Sequence, residues 1–113
     1  MTKLSAYYQL YYYVPKSHLE TTKKAIFAAG AGKIDGYTNC AWVTKGTGQF
    51  KPNKSSKPFI GIPGIINKII EYKVETICPS TKIKKVVTAL KNSHPYESPV
   101  FGIITTLDLS VIP

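Results

Sequence analysis

Tyr7-Tyr8-Gln9-Leu10-Tyr11-Tyr12-Tyr13-Val14, closed by Pro15, reads as a β-strand. Tyrosine and valine favour extended backbone, and proline stops the ladder by removing a donor. Alternation puts Tyr8, Leu10, Tyr12 and Val14 on one face and Tyr7, Tyr11 and Tyr13 on the other. A strand that is apolar or aromatic on both faces is covered on both. A helical layer is expected on one side and a second subunit on the other.

Outward from this strand the elements alternate. Ser17-His18-Leu19-Glu20 has the pattern of a capping box, with Ser17 as N-cap, and opens a helix through Ala29 whose buried side carries Leu19, Ile26 and Phe27. Gly30, in the run Ala29-Gly30-Ala31-Gly32, ends it. A second strand is expected over Cys40–Lys45, broken by Gly46-Thr47-Gly48, with a long loop over 46–66 and a short extended piece near Phe59–Ile62. A third strand spans Ile69–Cys78, with Tyr72, Val74, Thr76 and Cys78 on one face. A helix from about Thr81 to Asn92 follows. Its stripe is Ile83, Val86, Val87 and Leu90, and Lys82, Lys84, Lys85 and Lys91 lie off it. His94-Pro95 closes that helix, and Val100–Leu107 is the fourth strand.

The order β-α-β-β-α-β is the ferredoxin-like split motif of the α+β class, a four-stranded antiparallel sheet with both helices on one face. At 113 residues the chain is one domain, 1–113. Hydrophobic residues at 43% and charged residues at 19% fit a folded globular chain. No apolar run approaches the roughly 20 residues that span a bilayer, and no signal peptide is read near Lys3. Two cysteines, Cys40 and Cys78, are too few for a secreted disulfide framework, so a reducing cytoplasm and core thiols are expected; whether they touch is left open by the sequence. The formal charge is +9, and all fifteen cations are lysine. Lysine attracts polyanions in a salt-dependent way, but without arginine forks or a nucleic-acid signature no specific nucleic-acid partner is expected.

Two constellations carry the candidate chemistry. Gly46-Thr47-Gly48-Gln49-Phe50 reads as a turn whose backbone N–H groups can face a small anion, or simply as a tight turn with Phe50 as packing anchor. It is not a P-loop, since no Gly-Lys-Ser/Thr follows. His94-Pro95-Tyr96-Glu97 offers His94 and Glu97 as ligands for a divalent metal ion; the alternative has His94 closing the helix carboxyl end. His18, at a helix N-terminus, reads as surface. No Ser/His/Asp or Cys/His nucleophile pairing and no paired carboxylates are apparent.

Three pieces in order resemble the PII/CutA-like domain inserted in the Nif-three-like YqfO/YbgI proteins. They are Gly30-Ala31-Gly32-Lys33-Ile34 with Tyr37 and Cys40, Gly46–Phe50 with Pro52, and His94–Glu97, with Pro58, Gly61 and Glu71 between them. The resemblance covers about Tyr8 to Ile104 and implies a stand-alone copy of that domain. It implies a PII/CutA-type sandwich in a homo-oligomer, dimer or trimer. The two-metal centre of the larger proteins lies in flanking segments, so its hydrolase chemistry is not implied for this chain. The expected function is a non-catalytic small-ligand or metal-ion binding or regulatory module. A metal-dependent hydrolase and a purely structural partner-binding domain are the alternatives. The two turns are expected on opposite halves of the sheet and need not meet within a chain; in a ring of subunits, an edge of one chain can bring its glycine amides toward His94 and Glu97 of the next.

Overall fold

In the computed structural model, residues 4–107 are described; the two ends of the span 1–113 lie outside the described residues. The elements are β1 (Leu4–Pro15), α1 (Lys16–Ala29), β2 (Ala41–Phe50), β3 (Asn67–Pro79), α2 (Ile83–Ser93) and β4 (Phe101–Leu107), with a 3-10 turn, Ser80–Lys82, leading into α2. All strand pairs are antiparallel and the order is β2-β3-β1-β4. The ferredoxin-like expectation therefore holds, with both helices on one face.

The two faces of β1 behave as their alternation demands. Leu10, Tyr12 and Val14 are fully buried with Val74 and Cys78 of β3 beneath Ile26, Val86 and Leu90 of the helices. Each large aliphatic side chain so buried contributes about 1.5–3 kcal/mol. Within this core the Tyr12 hydroxyl donates to Thr22 Oγ1 at 2.9 Å, and the buried Thr22 in turn donates to the His18 carbonyl of its own helix. Burial first, tempered by that bond, pushes the Tyr12 hydroxyl pKa up to about 12. Cys78 sits in the same core, and burial raises its thiol pKa. Cys40 lies outside the core and both thiols are free.

Several local expectations need correction. No capping box forms: α1 begins at Lys16, directly after the extended Pro15, so Ser17 is already inside the helix. The Ser17 hydroxyl meets His18 Nδ1 instead, and Glu20 pairs with Lys23 at 3.2 Å. Gly30 does close the helix, and Gly32 (φ +76°) is required where it stands, since a Cβ there would meet the Phe27 ring and the Cys40 amide at 2.9 Å. Gly46 and Gly48 do not interrupt β2, which runs unbroken to Phe50 with Gly46 opposite Glu71 and Gly48 opposite Ile69. The long loop therefore spans 51–66, and Phe59–Ile62 is a bend rather than a strand.

The consequence of an unbroken β2 is an arm. β1 pairs with β3 only from Glu71 onward, whereas β2 follows β3 back to Asn67. The last pairs of β2 and β3 thus project past the sheet, and the molecule is 52 Å long against 28 and 23 Å in the other directions. The loop at the end of the arm is tied down. The Asn67 side chain bonds the backbone of Ile62 and Ile65 at 2.9–3.1 Å, and Phe59 folds back onto His18, ring centroids 5.3 Å apart. His18 is accordingly half-buried beneath the loop, not plain surface.

Candidate functional site

The face of the sheet away from the helices carries Tyr11 and Tyr13 of β1, Trp42, Gly46 and Gly48 of β2, and Glu71, Lys73 and Glu75 of β3, as the registers require. Where the arm leaves the sheet, this face is hollowed into a groove of about 530 Å³. Gly46, Thr47, Gly48 and Gln49 form one wall, Glu71, Lys73 and Glu75 the floor, and Tyr13, Tyr96 and Val100 the other wall. The groove exists because β2 carries no side chain at Gly46 or Gly48. An added Cβ at Gly48 would land on the Glu71 carboxylate, 2.6 Å from its Cδ, while one at Gly46 would meet nothing within 4 Å.

A second hollow of about 290 Å³ opens beside it under the folded-back loop. Its walls are mainly apolar, with Phe50, Pro52, Pro58, Phe59, Ile60 and Val100 among them, and Glu97 stands at its edge. Gln49, Glu71, Tyr96 and Val100 line both hollows, so the two adjoin at Glu71.

Glu71 is fixed by Tyr96, whose hydroxyl donates to Oε2 at 2.8 Å. Burial, and then the carboxylate it bonds, raise the Tyr96 pKa well above the ordinary phenol range, so the proton stays on the phenol and the bond is a donation to a charged acceptor. Lys73 is committed elsewhere. Its ammonium lies 3.6 Å from Glu75 and over the rings of Tyr11 (5.2 Å) and Tyr13 (6.0 Å). Gln9 also donates to Glu75, at 3.3 Å.

His94 holds this arrangement from behind. The backbone N–H of Tyr96 donates to Nδ1 at 3.2 Å, so the other nitrogen bears the proton, and Nε2–H donates to the Tyr13 carbonyl at 2.7 Å. Both ring nitrogens are thus engaged in a buried neutral imidazole, and burial lowers its pKa. A metal ion at His94 would have to displace one of these bonds. Glu97 is exposed at the rim of the smaller hollow. Among the described residues no group of three or more His, Cys, Asp or Glu is placed to hold a metal ion.

The two motifs meet within one chain, at Glu71 and Tyr96, so their approach does not require the ring of subunits through which the sequence brought them together. The physical reason is the unbroken β2: it carries Gly46–Gln49 alongside Glu71, which Tyr96 reaches from the segment before β4. Sequence reasoning missed Glu71, Lys73 and Glu75 as groove residues. Their signal was present, since charged residues recur every second position in β3 on the face opposite Val74 and Thr76. Glu71 and Glu75 do share a face, but four strand residues separate their backbones by about 13 Å, beyond the reach of a cooperating acid–base pair.

No family model matches the chain. It is similar to the GTP cyclohydrolase 1 type 2 homolog of Halalkalibacterium halodurans, 40% identical over 102 residues, which cover 90% of this chain and 27% of that protein. Among solved structures, a Bacillus cereus protein related to NIF3 superposes with a TM-score of 0.77 at 31% identity, over 92% of this chain and 26% of the other. The PII-like protein CutA from Nostoc gives a TM-score of 0.64 at 14% identity, over 94% and 86%, a likeness of fold alone. The chain spans about a quarter of the length of the curated relatives it matches. The expected kinship holds: this is a domain of PII/CutA-like fold, resembling a segment of the Nif3-related proteins.

Proposed function

We propose that this domain is a non-catalytic module that binds a small ligand or ion in the groove between Gly46–Phe50 and His94–Glu97. The carrying observation is convergence. Two motifs 48 positions apart, read from the sequence as separate, meet at one hollow around Glu71, to which the first brings Gly46–Gln49 and the second brings Tyr96, whose hydroxyl holds that carboxylate in place. Concave, largely preformed hollows with a few fixed polar groups are what ligand sites look like. His94 in this reading is a positioning residue that sets Tyr96, and Glu97 is a rim ligand. The domain functions in a reducing cytoplasm, a reading supported by its two free thiols.

The module acts as a homo-oligomer. Trp42 is 70% exposed and Ile104 47% exposed on the open sheet face, an apolar surface that a second subunit would cover. The relatives' name points to an enzyme, but the matched segment is about a quarter of their length, and fold kinship does not confer chemistry. Metal analysis of the purified domain, with a thermal-shift screen of nucleotides, small anions and divalent ions, tests the reading. A ligand that raises the Tm, and loses that effect in Glu71→Gln, is expected. No shift with any member of the screen and no bound metal would leave a purely structural domain.

A further inference from the structure

The groove and the slot under the loop bear on which ligand fits, an inference that rests on the binding role proposed above. Three of the chain's six carboxylates, Glu71, Glu75 and Glu97, line the two hollows, against three of its fifteen lysines, Lys45, Lys51 and Lys73. The walls are therefore balanced in charge on a protein of formal charge +9. Register places Lys45, opposite Tyr72, on the other face of β2, and Lys73 is held by Glu75 and two tyrosine rings. A phosphate entering here would meet the Glu71 carboxylate with no uncommitted ammonium beside it on the floor. Anions suit the rest of this surface better than they suit this hollow.

Glu71 itself defines what does fit. An ionised carboxylate only accepts, with about four lone-pair sites, and Tyr96 occupies one. Two parallel N–H donors from a planar fork match the remainder. The slot next to it is walled by the Phe50 and Phe59 rings, two prolines and Val100, which suits a flat apolar body.

We propose that the ligand is a planar nitrogen base with an amidine edge, two adjacent N–H donors on an aromatic or heterocyclic body. The ring lies in the slot and the donor edge meets Glu71 at the junction of the two hollows. The charge-inverted pair benzamidine and benzoate, nearly identical in shape, is the probe. Isothermal titration of the purified domain is expected to show benzamidine binding and no benzoate binding. In Glu71→Gln, which still offers Tyr96 an acceptor, benzamidine affinity falls at least tenfold. In Val100→Trp, a substitution at a position 62% exposed that leaves its backbone bond to Tyr13 intact, binding is lost while the Tm is kept. Benzoate or inorganic phosphate binding in place of benzamidine overturns this inference and leaves the binding role standing. Benzamidine binding unchanged in both variants also overturns it. Failure of benzamidine, benzoate, phosphate and divalent ions alike overturns both.

Discussion

Two glycines two positions apart on one strand are predicted to respond oppositely to the same substitution. Replacing a strand glycine by alanine is worth about 0.5–1 kcal/mol of stability where the new methyl has room, because the unfolded chain loses freedom. Gly46 has that room, so Gly46→Ala is expected to stabilise by that amount. At Gly48 the methyl takes the place of the Glu71 carboxylate, which must swing away and release the Tyr96 hydroxyl. A hydrogen bond to a charged group contributes about 1.5–3 kcal/mol; with both partners half-buried the lower end applies. Setting this against the alanine gain leaves Gly48→Ala destabilised by about 1 kcal/mol, roughly 4 °C in Tm for a domain of this size. Urea denaturation of the four combinations of Gly48→Ala and Tyr96→Phe reads the coupling directly. In the Tyr96→Phe background the bond is already absent, so Gly48→Ala should become neutral or stabilising. An unchanged penalty there, or equal responses at Gly46 and Gly48, would refute the assignment of Gly48 as the space that Glu71 occupies.

Four further outcomes follow from the fold. His94→Ala removes the partners of two backbone groups, the Tyr13 carbonyl and the Tyr96 N–H, and should cost about 2–4 kcal/mol in urea unfolding. Because burial depresses the His94 pKa below its ordinary 6.5, the unfolded chain takes up the proton more readily; the stabilising contribution is complete above pH 6.5 and is lost as the pH falls through the lower folded value, a slope that His94→Ala should flatten. Leu10→Ala empties a fully buried position at the centre of the sheet and should lower stability by about 2–5 kcal/mol, read from the same titration. Trp42→Asp on the open sheet face should shift light scattering from an oligomer to a 12.5 kDa species without loss of the circular-dichroism signal, and a monomer in the parent protein would contradict the proposed assembly.

The layer structure was legible because it depends on alternation. Tyr8, Leu10, Tyr12 and Val14 share a parity, as do Val74, Thr76 and Cys78, and period-two patterning assigns a face without knowledge of partners. The stripe of α2 was legible for the equivalent reason, and Val86 and Leu90 are its buried members. Gly46 and Gly48 misled because glycine signals a turn by local propensity, whereas both lie within β2 and Gly48 serves a contact with Glu71, 23 residues away in the chain. The same non-local contact hid the groove. Ser17 misled because the cap position went to Pro15, whose ring fixes the backbone before any side chain can compete. His94 was readable as the residue that closes α2, which it does, but not as the link between Tyr13 and Tyr96, since only the fold shows which backbone groups its nitrogens meet.

The pairing of β1 with β4 has a consequence for how such a domain can be carried. Leu4 and Leu107, at the outer ends of the described strands, are register partners on adjacent antiparallel strands. Chain entering at one and leaving from the other is separated by a single inter-strand spacing, about 5 Å. A host protein could therefore accept this whole sheet in a surface turn with almost no displacement of its own backbone, through a two-stranded neck. The helices, the arm and the groove would all hang outside the host, free to change without disturbing it.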